Sequence, residues 1–243
     1  MDSRDEPAES ATRSEHPVDG STAEGPAAVD SPTDESATDP PTLSKAGLAL
    51  GWREHRRYFF ASVVLFALGT VVGLAIHGQV DLFEAMGLDS LGDVLPENPT
   101  ATFVFLNNAR VFLLFALAPV TIVGVLLTLA GLLFNGLLVG YVAAAAAAQV
   151  GVGFVLLALI PHGIIELPAL FLGSAIGFRI VAVPVLYLLD RRERLWTRAE
   201  IGRVALLLVV GVLALAVAAV IEMHLTVWLL EQFFGGVQSG AAR

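Results

Sequence analysis

The chain has 243 residues, of which 56% are hydrophobic and 15% charged, with a formal net charge of −9 and no cysteine. Without cysteine, disulfides, thiolate-bound zinc, iron–sulfur clusters and thiol nucleophiles are all excluded. Several apolar runs after Trp52 exceed the roughly 20 residues that cross a bilayer as a helix, which excludes an ordinary soluble domain.

The acidity is local. Residues 1–50 carry eleven acids against Arg4, Arg13 and Lys45, a balance of −8, and the other 193 residues are nearly neutral at −1. The leader is rich in Pro, Ser, Thr, Asp and Glu and almost free of aromatics, so it buries too little apolar surface to fold. Residues 1–45 are therefore expected to be a disordered tail. It has neither a basic start nor an apolar core, so it is not read as a signal peptide.

"GWREHRRYFF" at 51–60 reads as a membrane entry: Arg53, Arg56 and Arg57 precede an apolar run, with Trp52 and Tyr58 at headgroup depth. The first span is expected over about 58–76, where Gly69 and Gly73 form a small-xxx-small face for close helix packing. Residues 77–100 hold five acids and neither Lys nor Arg, as befits an external loop. Its "VDLFEAMGLDSL" segment is either a short amphipathic surface helix or a plain loop. Residues 101–150 suffice for two spans, with a turn at Pro119 or within Gly124–Gly131. Asn135, Gly136 and Gly140 in the second of these permit tight helix contact.

Residues 151–160 are too few to span, and Pro161 with Gly163 is expected to break the helix, leaving a half-helix before a span at 164–189. Five arginines follow within 190–203, a cytoplasmic loop by the positive-inside rule, and a final span covers about 204–230. Both arginine clusters belong in the cytoplasm, so an even number of spans must separate them. The expectation is an all-α transmembrane bundle of five spans plus one half-helix, with an internal N-terminus and an external C-terminus. The membrane domain is read as 46–234, with a short C-terminal tail at 235–243.

Three stretches are familiar. "FLNNARVFLLF" at 105–115, "LLFNGLLVGY" at 132–141 and "PHGIIELPA" at 161–169, in that order and spacing, resemble the stage II sporulation protein M family. The likeness covers roughly 46–234. In spore formers the resemblance implies a non-catalytic membrane anchor for wall-degrading partners that drive engulfment. Many members belong to organisms that neither sporulate nor possess peptidoglycan.

Ionisable groups inside the spans are costly and mark function or structure. Asn107, Asn108, Arg110, His162 and Glu166 are expected to form one polar cluster, with an Arg110–Glu166 ion pair clasping the 151–163 segment to the second span. Asn135, Arg179, Glu222 and His224 are further intramembrane polar groups, and Arg179 is expected to face inward and donate to Asn135 or to backbone carbonyls. His162 and Glu166 with Glu222 and His224 could in principle gather round one ion. The preferred reading is a structural network with no metal and no cofactor. Ser174 lies outside any nucleophile-elbow motif, and there is neither a phosphate-binding loop nor a dinucleotide fingerprint, so no enzyme is expected. The basic residues hug the bilayer, which argues against nucleic acid. The expected partners are the lipid bilayer and other membrane proteins; no sequence feature sets the oligomeric state. The function read from this is a membrane scaffold for a complex that remodels the envelope. The alternative is a transporter or channel component with its site at the broken helix 151–163.

Overall fold

The structure is a computed structural model that describes residues 43–87 and 100–241. Nearly all of the acidic leader, the second half of the external loop and the last two residues lie outside the described residues, and with them the disorder expected of the tail.

The described residues form helices joined by short turns and loops, without strands. Helix α1 (Lys45–Ile76) starts on Ser44, whose hydroxyl accepts from the Gly47 amide. It begins thirteen residues before the apolar run, so the arginine-rich entry is already helical. One turn, α2 (Leu82–Ala85), follows an Asp81 cap and is what the described part of the loop keeps of the surface helix. Helix α3 (Ala101–Leu117) is capped by Thr100, and a 3₁₀ turn at Ala118–Val120 leads through the Thr121 cap into α4 (Ile122–Val150). Pro119 is thus the turn, and the glycines at 124 and 131 lie inside α4. Gly151, at φ 90°, alone links α4 to α5 (Val152–Leu188). Helix α6 (Arg198–Ile221) begins with a capping box between Thr197 and Glu200. It runs through a π-helical turn at Glu222–Thr226 into α7 (Val227–Ala241). Five of these stretches are long and apolar enough to cross a membrane, ending with Arg198–Phe234.

The half-helix is not found. Helix α5 runs unbroken for 37 residues through Pro161, Pro168 and Pro184. A proline deletes one backbone hydrogen bond, whereas a full break would strand several N–H and C=O groups where water cannot satisfy them. In an apolar setting the smaller loss wins, so the helix continues and residues 152–160 are simply its first turns.

The tightest packing joins α1 to α4, and glycine causes it. A Cβ placed on Gly69 or Gly73 would fall 2.1 or 2.0 Å from the carbonyl oxygens of Leu133 and Leu137. Reciprocally, one on Gly136 or Gly140 would fall 2.1 Å from those of Phe66 and Thr70. The register rises together on both helices, so α1 and α4 lie parallel. Without side chains between them the backbones touch, which gains dispersion contacts along the full crossing. Both small-residue faces expected from the sequence meet each other here. A second junction centres on Phe112, which is wholly buried against Gly173 of α5 and Gly211 of α6.

Gly69→Val and Gly136→Val should each force α1 and α4 apart and destabilise the protein by about 1–3 kcal/mol or more in detergent unfolding. Gly163→Ala, where nothing lies within 4 Å of the new methyl, should be neutral or stabilising by up to about 1 kcal/mol.

Candidate functional site

The polar groups of the membrane body separate into two layers, one towards each end of α5. Glu166 and Arg179 are thirteen residues apart on that helix, or about 20 Å along its axis.

The layer at the Arg179 end joins three helices. Arg179 faces inward, with its side chain only 7% exposed, as expected from the sequence. Its partners are carboxylates. Nη2 donates to Glu200 Oε1 at 2.9 Å and lies 3.2 Å from Glu54 Oε2, while the guanidinium sits 5.2 Å from the Trp196 ring centre. Arg203 grips Glu54 with two bonds, from Nη2 at 2.8 Å and Nε at 3.2 Å. Arg192 donates to both oxygens of Glu200, and the Thr197 amide donates to Oε2 at 3.0 Å. His55, fully buried next to Glu54, has Nδ1 2.7 Å from the Gly51 carbonyl. Asn135 is not part of this layer, because its amide turns back to its own helix and donates to the Gly131 carbonyl at 2.9 Å. An ionised partner makes a stronger bond to a guanidinium than a neutral amide does, and two were in reach. Glu54, His55 and Glu200 were missed. The signal for Glu200 was legible in "TRAE", a Thr-x-x-Glu capping box. Glu54 was hidden among the three arginines of its own turn.

The layer at the other end brings together His162, Glu166 and Glu222, whose ligating atoms lie within 4.8 Å of one another. His162 and Glu166 share one face of α5, a helical turn apart, and Glu222 opens the π turn after α6. All three are half-buried, and His162 and Glu166 line a groove whose other side chains are apolar, such as Leu159, Leu167 and Phe171. His224 is exposed, with Nδ1 3.0 Å from the Val220 carbonyl, and lies outside the cluster.

The clasp to the second span does not form. Arg110 is exposed, and among the described residues it makes no ion pair with Glu166 or with any other group. Helix α3 buries Ala109, Phe112 and Ala116, and Arg110 lies about 200° of helical rotation from Phe112. Asn107 is exposed on the same outer face, and Asn108 is half-buried. Facing defeats the pair, because the wholly buried Phe112 fixes which side of α3 turns inward. Depth is off as well: Phe112 lies against Gly173 and Phe115 against Gly177, which puts Arg110 nearer the level of Phe171 than of Glu166.

The sequence profile of the stage II sporulation protein M family matches residues 62–227, which takes in the second half of α1, the His162–Glu166–Glu222 layer, the π turn and, of the other layer, every member except Glu54 and His55. The chain belongs to that family. An uncharacterised protein of Methanocaldococcus jannaschii is 27% identical over 168 residues, covering 68% of this chain and 91% of its own. No solved structure matches the chain. With the family and five apolar helices together, this stage II sporulation protein M relative is a membrane protein.

Arg179→Gln should cost about 3–5 kcal/mol in detergent unfolding, because it strips one cation from two buried carboxylates. A double-mutant cycle with Glu200→Gln should fall short of additivity by roughly 0.5–3 kcal/mol. The same cycle on Arg110→Gln and Glu166→Gln should be additive.

Proposed function

We propose that this protein is a non-catalytic scaffold that holds other membrane proteins together, and that the outer face of α3 is where a partner helix docks. The observation that carries the reading is Arg110. It lies midway along the span Ala101–Val120, about 14 Å from the helix start, exposed and without a partner among the described residues. A charge at that depth costs about 3 kcal/mol or more unless something pairs with it. A second helix bearing an Asp or Glu at the same depth would supply the pair. The surface around Arg110 suits such a helix: Phe103, Leu106, Leu113 and Leu117 are exposed on the same side, and Asn107 adds a hydrogen-bonding group one turn away. The transport reading draws on an interrupted helix at 151–163 and on the intramembrane polar residues, and the continuity of α5 removes the first of these.

The arginine clusters favour an orientation in which the Arg179 layer lies at the cytoplasmic end, with the N-terminus inside and the C-terminus outside.

A photocrosslinker at Leu114, exposed on the same face, should capture one membrane partner in native membranes. Arg110→Gln should abolish the crosslink while leaving the unfolding temperature within a few degrees. An undiminished crosslink in Arg110→Gln, or crosslinking to lipid alone, would refute the docking face. The native chain contains no cysteine, so single cysteines report topology without background. Gln79→Cys should label from outside intact cells and Glu193→Cys only after lysis; the reverse pattern would invert the orientation.

A further inference from the structure

We propose that His162, Glu166 and Glu222 bind one divalent transition-metal cation beside the first half of α5, about 20 Å along the helix from Arg179. Three observations converge. The ligating atoms already lie within 4.8 Å of one another, although Glu222 comes from a different helix more than fifty residues along the chain. Metal–ligand distances of about 2.1 Å would set the donor atoms roughly 3–3.5 Å apart, so side-chain rotations of an ångström or so complete the set.

The second observation is an unmet demand. His162 Nδ1 is shut off from solvent and has no hydrogen-bond partner. Among the described residues neither Glu166 nor Glu222 is paired with Arg or Lys. The contrast with the other layer is informative, since there each buried carboxylate is held by two arginines. A divalent cation would take both carboxylates as ligands and balance their charge in this half-buried site.

The third is the backbone. The π turn at Glu222–Thr226 interrupts the regular winding between α6 and α7, and such turns occur frequently at functional sites because the extra residue re-aims the side chains around it. It begins at the one residue of α6–α7 that joins the cluster. One imidazole and two carboxylates form a mixed nitrogen and oxygen set, suited to zinc, manganese or iron(II) and too nitrogen-containing for calcium. Three protein ligands leave a position open towards the groove for water or a ligand group from another molecule.

The test uses the full chain in detergent, stripped with chelator and reloaded with Zn²⁺ or Mn²⁺ before desalting and elemental analysis. One ion per chain of at least one metal is expected, together with a raised unfolding temperature. Glu166→Gln and Glu222→Gln, which keep side-chain size, should each weaken binding at least tenfold, and His224→Ala should bind as the native chain does. A Co²⁺-loaded native chain should show the intense visible bands of a low-symmetry nitrogen and oxygen site, a readout that needs no variant to fold. Neither metal retained, the weak spectrum of hexaaquo cobalt, or unchanged affinity in Glu222→Gln would overturn the assignment. So would equal uptake by the native chain and both glutamine variants, which would mark adventitious surface binding.

Discussion

Arg179 sits in the apolar body of the protein with almost none of its side chain exposed, and the geometry of three helices answers to that one charge. Neutralising it takes Glu54 from α1 and Glu200 from α6, and those carboxylates are in turn held by Arg203 and Arg192. The capping box at Thr197 fixes Glu200 by the same turn that starts α6, so the helix boundary and the ion pair are one structure. Removing Arg179 would take a cation from both carboxylates at once, in a medium that penalises unbalanced charge heavily. The network therefore sets where α5 and α6 lie against α1, while the glycine crossing independently locks α4 to α1.

Much of this was legible in the residues. Apolar run lengths gave the five spans, and the spacing of Gly69–Gly73 and Gly136–Gly140 marked both sides of a contact that proved to be mutual. "PHGIIE" pointed to a polar site, and Arg179 was correctly turned inward. What the chain concealed follows from physics that one dimension carries weakly. Pro161 reads as a break because in water the exposed backbone would be solvated; in hydrocarbon the ladder is worth keeping. The partners of Arg110, Arg179 and Glu166 depended on rotation about each helix axis, and periodicity is faint where nearly every side chain is apolar. Glu222 joins the cluster because a π turn shifts its direction, and no residue type announces such a turn.

The two polar layers differ in how their charge is balanced. At the Arg179 end, arginines and glutamates compensate one another within the chain, as befits a permanent brace. At the other end a histidine and two glutamates gather with no cation of their own among the described residues. The exposed Arg110 on α3 is likewise without a counter-charge among the described residues.

Helix α5 carries one more implication. At 37 residues it is about 55 Å long, against a hydrocarbon thickness of roughly 30 Å, and α4 beside it has 29 residues. The Gly151 apex between them is flanked by Ala, Val and Phe, with the exposed Gln149 the one polar side chain within three residues. Tilt absorbs part of the excess, and the surrounding lipid must stretch to cover the rest. Hydrophobic mismatch of this kind favours thick bilayers over thin ones. It also lets proteins that share the same misfit attract one another through the membrane they deform, before any side chain of either has touched the other.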